Sequence, residues 1–566
     1  MTIANFVMEM GIEDEIPTYS GGLGVLAGDA AHSFADLGFP AVFVTPLYKM
    51  GYTTQKLDVS SGQIDYDAPW DYRKLLKPLG IYVNVEINGS AQKVGAWQYL
   101  VSGNVDVPII FLDTDVEGND PAVRQITDRL YGGDHWHRLM QEMVLGVGGY
   151  RILEATGRPI EIYHLNESHA ALLVVELMRQ HRDIHEVRKR CVFTAHTPVP
   201  AGYDAFPLGM IKEAFKHYDW VDWEAETTPR GEVDLSRIAV KYSGVTNAVS
   251  LKHRYVSERI LDHGKVEYVT NGIYHRRWVH DELKKLYDRH IPGWEETPAL
   301  LTQALELPTD ELHSAHQKAK SELLSMIRRS TGVEFSKEDF TIGLAKRVTA
   351  YKRNDLILSD VDRFVGIAEE LGPIQLVLAG KTHPKDDVAK SVLRNILGKI
   401  QEVRLKTNEV KIVYLENYDI RAAKALIGGC DVWLNNPRRP LEACGTSGMK
   451  AAMNAVLNFS IYDGWWLEAG VEGVNGWGIG RRASWGDLRD DGDSDVQDLY
   501  KKLSGFILPT YYHEKDKWWS MGKNSIATVG PVFNSYRMIN EYEAKVYARA
   551  RQLDDRVLRH QTLPSA

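Results

Sequence analysis

Short apolar runs alternate with helix-like stretches along nearly all of the 566 residues, and few architectures accommodate that rhythm. The runs fall at 41–44, 107–112, 160–165, 192–195, 266–269, 341–345, 374–379, 411–415 and 431–434. Each is bounded by Gly, Pro or Asn, or leads into a helical pattern. Strands that alternate with helices build α/β layers around largely parallel sheets. Such sheets bind ligands beyond the carboxyl ends of their strands.

A chain of this length exceeds one hydrophobic core. A polar, aromatic and Pro-containing stretch at about 275–309 interrupts the rhythm; a helix pattern at 311–329 and a new run at 341 follow it. The expected division is an α/β domain over 1–285, a second over 286–533, and a helical tail over 534–566, patterned through 559, that packs back toward the first domain. Net charge is −9, which argues against broad nucleic-acid binding and against an anionic membrane surface. Three cysteines without metal-like spacing are no disulfide framework. Residues 1–10 lack the pattern of a signal peptide, and no uncharged apolar run approaches the roughly 20 residues of a membrane span. A cytoplasmic enzyme fits these features.

Residues 431–455 carry the most chemistry. A strand ends near Asn435, a Pro and Gly turn follows, and a helix begins near Thr446 or Ser447, either of which can cap it. The amides of Gly445 and Thr446 then face an anion, as helix N-termini do. Lys450 lies within about one turn of them. A phosphate cradle beside an amine is what pyridoxal phosphate requires. Spacing alone leaves an ordinary exposed helix lysine equally open, since this is not a P-loop. Lys346, Arg347, Lys352 and Arg353 cluster where one strand ends and a helix is expected to start, a place suited to an anion. Gly21 to Gly24 read as a glycine loop opening a helix, with the wrong spacing for a dinucleotide fingerprint. His196 follows a strand end, where a hydrogen-bonded turn residue is the plainer alternative.

Metal readings find little support. His164, Glu167 and His169 miss both zincin spacings. His135 and His137 would share one face of a strand without companion ligands. The stretch 113–120 mimics the start of an EF-hand loop, but Arg124 stands at its twelfth position.

The segment 442–450, Glu-Ala-Cys-Gly-Thr-Ser-Gly-Met-Lys, closely resembles the cofactor-lysine motif of the α-glucan (glycogen, starch, maltodextrin) phosphorylases. The resemblance recurs in order at 20–29, 131–138, 164–169, 193–198, 270–273, 346–353 and 415–418. It implies a GT-B fold: two Rossmann-like doubly wound domains facing each other across a cleft that holds the active site. It implies pyridoxal 5'-phosphate on Lys450, with Lys346, Gly445 and Thr446 at its phosphate and Tyr418 against its ring. By the same resemblance Arg347 and Lys352 hold the substrate phosphate. Gly22, Leu23 and Gly24 lie over phosphate and glucose; His196, Asn271 and Glu442 bind the sugar; Glu167 and His169 shape the glucan side. The implied reaction is reversible phosphorolysis of an α-1,4-glucan to α-glucose 1-phosphate, with retention and with the cofactor phosphate as proton donor. A homodimer or higher homo-oligomer is common among such enzymes.

The chain also departs from the family pattern. It begins almost at the glycine loop, so control through an N-terminal regulatory region is not expected. Asp419 stands where longer members have an arginine, for which Arg421, Arg438 or Arg439 could substitute. Cys444 replaces a serine. Two alternatives remain: a nucleotide-sugar-dependent glucan synthase, whose glycine loop usually begins Lys-x-Gly-Gly where this chain has Tyr19-Ser20, and a non-catalytic glucan-binding protein.

Overall fold

Alternating apolar side chains point to opposite faces of a strand, so a strand apolar on both sides needs cover on both. In a computed structural model, which describes residues 2–199, 202–218 and 220–553, the chain meets that need with two parallel-sheet units. The first comprises residues up to 52, 67–270 and 538 onward; the second comprises 53–66 and 271–537.

The strands in chain order are β1 (Ile3–Phe6), β2 (Ala41–Pro46), β3 (Thr54–Asp58), β4 (Gly62–Tyr66), β5 (Lys77–Ile87), β6 (Ser90–Val101), β7 (Val107–Asp113), β8 (Ile162–Asn166), β9 (Cys191–Ala195), β10 (Ala205–Pro207), β11 (Glu232–Asp234), β12 (Val245–Ala248) and β13 (Glu267–Tyr268). They continue with β14 (Phe340–Ala345), β15 (Ile374–Ala379), β16 (Val410–Leu415), β17 (Val432–Asn435), β18 (Leu457–Ile461) and β19 (Gly476–Ile479). The nine-stranded sheet of the first unit has the order β13-β12-β9-β8-β1-β2-β7-β6-β5. It is parallel except for β6, which runs antiparallel to both neighbours. Ala4, Phe6, Val42, Val44, Ile110 and Leu112 enter one core. Their neighbours Ile3, Ala41, Phe43, Ile109 and Phe111 enter the core on the other face. That second core includes Leu26 and Phe34 of the helix Gly22–Leu37, and Met538, Tyr542 and Tyr547 of the tail.

The six-stranded sheet of the second unit is wholly parallel, in the order β16-β15-β14-β17-β18-β19. The helix expected at 311–329 spans Thr309–Thr331, with Gly332 at its end in a left-handed conformation, φ 71°. Each sheet reverses its winding once, at β1/β8 in the first unit and at β14/β17 in the second. Such switch points are where open α/β sheets form ligand crevices.

The unit boundaries differ from the sequence expectation. The change falls at 270/271 rather than 285/286. The helix Asp281–His290 is tied to the second unit: the Tyr287 hydroxyl donates to the Met453 carbonyl at 2.8 Å, and the His280 amide to Asn454 Oδ1 at 2.7 Å. The β3–β4 hairpin also belongs there, because Gln55 Nε2 donates to the Gly380 carbonyl and Asp65 pairs with Lys390. The tail stays with the second unit through Arg537, whose Nη2 donates to the Asn271 carbonyl, and joins the first unit from Met538. The expected helix over 554–559 lies outside the described residues. Among the described residues no helix is long and apolar enough to cross a membrane.

Candidate functional site

In the first unit the site residues collect at the carboxyl ends of β1, β8 and β9. The helix Gly22–Leu37 starts behind Gly21 without a side-chain cap. At Gly22 an added Cβ would meet nothing within 4 Å, whereas at Gly24 a Cβ would stand 2.7 Å from Tyr19 Cβ. Glycine at 24 therefore permits the loop to close on the helix. Buried Glu9 secures the loop: one carboxylate oxygen accepts from the amides of Ser20 and Gly21 and from the Ser20 hydroxyl, and the other accepts from the Tyr131 hydroxyl at 3.1 Å. Sequence reasoning missed Glu9. Its signal was a lone acid in the apolar stretch 3–12.

Glu167 follows β8 with φ +67°, a conformation that costs a non-glycine residue about 1–3 kcal/mol and that clusters at functional sites. One of its oxygens accepts from the His196 amide at 2.9 Å and the Thr197 hydroxyl at 3.0 Å. Its other oxygen, also buried, has no hydrogen-bond partner. Burial raises the Glu167 carboxyl to about 8. His196 Nε2 lies 3.2 Å from Asn166 Oδ1. Burial, with His164, His253 and His169 nearby, lowers its pKa to about 3, so the ring is neutral near pH 7. A neutral imidazole can donate from one nitrogen and accept at the other.

His169 is buried, and its Nδ1 lies 3.0 Å from both Asp204 Oδ2 and Arg138 Nη2. Glu142, His169 and Asp204 bring their ligand-type atoms within 4.8 Å of one another. Arg138 stands among them, 3.1 Å from Glu142 Oε1 and 2.9 Å from Asp204 Oδ2. The guanidinium thus faces buried Glu142, whose carboxyl burial pushes well above the usual range, and half-buried Asp204, which Arg138 and His169 hold well below it against the effect of burial. His135 and His137 are on the helix His135–Met143, not on a strand; Asp134 caps that helix, with its side chain accepting from the His137 amide.

In the second unit the cations line the carboxyl ends of β14 and β17. Lys346 Nζ donates to Asn436 Oδ1 at 2.7 Å and makes no ion pair among the described residues. Burial, with Lys352 and Arg353 nearby, pushes its ammonium well below the ordinary lysine range. An anion beside it would restore the charge. Lys352 Nζ reaches both oxygens of Glu442, at 2.9 and 2.6 Å. Burial opposes the Lys352 charge, but Glu442 outweighs it and raises the pKa. Arg347 beside them is exposed.

The helix expected at 351–353 is absent from that place. Ala350–Lys352 form one 3₁₀ turn, Arg353 is left-handed at φ 47°, and the next α-helix is Val361–Leu371. The cause is Arg353 itself. Its guanidinium donates to the carbonyls of Asn436, Pro437 and Gly492 and to Asp495 Oδ2 at 2.7 Å. It braces the loop that follows β17. Arg438 pairs with Asp490, and Arg439 with Asp491 and Asp495, so these arginines are committed to carboxylates. Asp419 caps the helix Ile420–Gly429 by accepting from the Ala422 amide at 2.8 Å. Tyr418 precedes it at the end of β16, half-buried.

The helix that carries Lys450 spans Thr446–Ala452. Its cap position is Gly445, at φ 94°, and not Thr446 or Ser447; no side chain caps it. Ser447 Oγ instead accepts from Trp433 Nε1 at 3.0 Å. Lys450 is only 7% exposed, which removes the surface-lysine reading. Its Nζ lies 3.6 Å from the centre of the Trp278 ring. Asn454 locks the pair by donating to the carbonyls of Lys450 and Trp278. Trp278 went unnoticed in the sequence because it lies 172 residues away and its helix has one turn. Asn271 is close by in the same unit: its backbone N–H donates to the Cys444 sulfur, and its buried Oδ1 has no hydrogen-bond partner. A buried amine, uncapped amides at Gly445 and an under-compensated ammonium at Lys346 suit pyridoxal phosphate; the donor set is right for an aldehyde and a phosphate.

Comparison with known proteins identifies the family. The family model described as carbohydrate phosphorylase matches residues 224–475. The model described as starch synthase catalytic domain matches 14–262. The chain is 36% identical to the maltodextrin phosphorylase of Thermococcus litoralis over 96% of this chain and 70% of that protein. It is 33% identical to the glycogen phosphorylase of Aquifex aeolicus, covering 96% of this chain and 85% of that one. It is also 33% identical to the glycogen phosphorylase of Mycobacterium tuberculosis, covering 97% and 71%.

Proposed function

The chain belongs to the carbohydrate phosphorylase family, as an α-glucan phosphorylase, and on that premise we propose that it carries out reversible phosphorolysis of an α-1,4-glucan to α-glucose 1-phosphate, with retention and with pyridoxal phosphate on Lys450. The observation that carries the reading is the buried Lys450 amine on a helix opened by Gly445, in the unit whose strand ends gather Lys346, Arg347 and Lys352.

Pyridoxal phosphate supplies, when bound, a phosphate group able to exchange a proton with the substrate phosphate. The rest falls to the chain. Trp278 and Asn454 fix the direction of Lys450. Lys346, with the amides of Gly445 and Thr446, holds the cofactor phosphate, and Tyr418 covers the ring. Arg347 and Lys352 hold the substrate phosphate: the guanidinium grips two oxygens, while the ammonium acts as a point charge. With both phosphates held there, like charges would raise the pKa of one, and the proton it kept would be available as the general acid for the leaving oxygen. Glu442 and the orphan Oδ1 of Asn271 accept from sugar hydroxyls. Neutral His196 hydrogen-bonds the sugar, and Glu167 holds its backbone. Gly22, Leu23 and Gly24 offer backbone amides, and His169 is a positioning residue for the glucan side. No protein carboxylate pair is needed, unlike in a retaining glycosidase.

The three cysteines are buried free thiols, in keeping with a reducing compartment and a cytoplasmic enzyme. A homo-oligomer fits the same reading. The starch-synthase match favours a second one, glucosyl transfer from a nucleotide sugar. It ends at residue 262, before Lys450, and Tyr19-Ser20 stand where the synthase loop has its lysine.

The test incubates the protein with maltodextrin and phosphate, and separately with a nucleotide glucose and maltodextrin. Glucose 1-phosphate should form only in the first. Borohydride treatment of the purified protein should leave a pyridoxyl adduct on the Lys450 peptide. Lys450→Ala should lose both adduct and activity; full phosphorolysis by that variant without added amine would sink the assignment.

A further inference from the structure

At the amino-terminal ends of β8 and β9 in the first unit lies a polar cavity of about 300 Å³ that the phosphorolysis reading does not use. Its lining includes Tyr150, Glu154, Arg158, Tyr163, Gln180 and Arg190. The lining comes from the end of the helix Gly149–Ala155, the amino-terminal end of β8, the end of the helix Leu173–His181 and the residue before β9. Glu167 and His196 stand at the other ends of β8 and β9, about 16 Å away for a five-residue strand. The two places are therefore distinct.

The charge here is unbalanced. Arg158 and Arg190 make no ion pair among the described residues, and the Arg190 Nε is buried without an acceptor. Glu154, the only acid in the lining, lies 3.5 Å from Arg179. Helix ends attract cations in their last turn, which accounts for Arg179 and His181. It does not account for Arg158 and Arg190, which stand in loops. A buried guanidinium N–H without an acceptor is costly, and it marks a place where an acceptor belongs. The Tyr150 hydroxyl donates to Gln180 Oε1, which leaves the Gln180 NH₂ as a further donor. The Tyr150 and Tyr163 rings, with centroids 5.5 Å apart, add an apolar wall.

We propose that this cavity binds a small phosphate monoester, its phosphate held by Arg158 and Arg190 and its organic part set against Tyr150, Tyr163 and Gln180. Paired guanidinium groups match the geometry of a phosphate dianion. The volume matches the lower end of small-molecule sites.

Calorimetric titration of the holoenzyme with glycerol 2-phosphate tests the site, with glycerol as control. Four proteins are compared: wild type, Arg158→Ala/Arg190→Ala, Arg190→Lys and Lys352→Met. Wild type and Lys352→Met should bind the ester alike, and glycerol should give no signal. The double alanine variant should bind at least about tenfold more weakly, the scale of one lost charged hydrogen bond. Arg190→Lys should be intermediate. Unchanged circular dichroism and phosphorolysis in the double variant would show that the fold is intact. Wild-type affinity in the double variant, equal binding of glycerol, loss of binding only in Lys352→Met, or no binding by wild type would each overturn the proposal.

Discussion

Glu442→Gln removes the charge that pairs with Lys352 in the second unit while keeping the side-chain shape. Lys352 Nζ is bonded to both Glu442 oxygens, and the two side chains are 16% and 8% exposed. Deleting one partner of a buried pair leaves an unpaired charge and costs about 3–5 kcal/mol; partial exposure of Lys352 places this case near 3. For a unit of this size about 2–4 °C is lost per kcal/mol, so the melting midpoint should fall by about 6–12 °C. Inorganic phosphate should restore more of that loss in the variant than it adds to wild type, because the freed ammonium gains a counter-ion. Lys352→Met should also destabilise, and the double variant should lose less than the sum, with a coupling of about 2 kcal/mol or more. Differential scanning calorimetry of the four proteins, with and without phosphate, reads all of this. Additive losses, or a Glu442→Gln midpoint within about 1 °C of wild type, would refute the reasoning.

Glu167 is protonated in the native state up to about pH 8 but ionises near 4.5 when unfolded, so rising pH erodes its contribution across that window. Glu167→Gln should therefore gain stability relative to wild type between pH 5 and pH 8, read by urea midpoints; a constant gap would exclude titration there. Asp419→Ala should cost about 1 kcal/mol by uncapping the helix Ile420–Gly429, with Asp419→Asn restoring most of it in thermal melts. An equal loss in both would point away from capping. Gly24→Ala places a Cβ 2.7 Å from Tyr19 Cβ and should cost about 1–3 kcal/mol in the same assay, whereas Gly22→Ala meets no atom and should cost less than about 1.

The strand rhythm was legible because a doubly covered parallel sheet demands near-continuous apolar runs, and each run named from the sequence holds a strand. The β5–β6 hairpin was not, because its alternating, half-exposed residues resemble a loop. The helix start near Thr446 was readable; its cap was not, since Gly445 holds the left-handed turn and Ser447 is engaged by Trp433. Likewise nothing in the spacing of 346–353 told apart a cation free of ion pairs among the described residues, such as Lys346, from a bracing arginine. Arg353 is distinguished only by the carbonyls and the Asp495 carboxylate that the fold places around it.

Local patterns by themselves determined the α/β fold class and the cation cluster, because periodicity and motif order are properties of neighbouring residues, while Lys450 was singled out only by the family resemblance of its motif. Tertiary structure decided which of those residues are partnered. It set Lys450 against Trp278, Lys352 against Glu442 and Glu9 against the glycine loop, and it joined 53–66 to residues more than 300 positions away. Those pairings depend on strand order and loop closure, which carry no signature in the spacing of either partner.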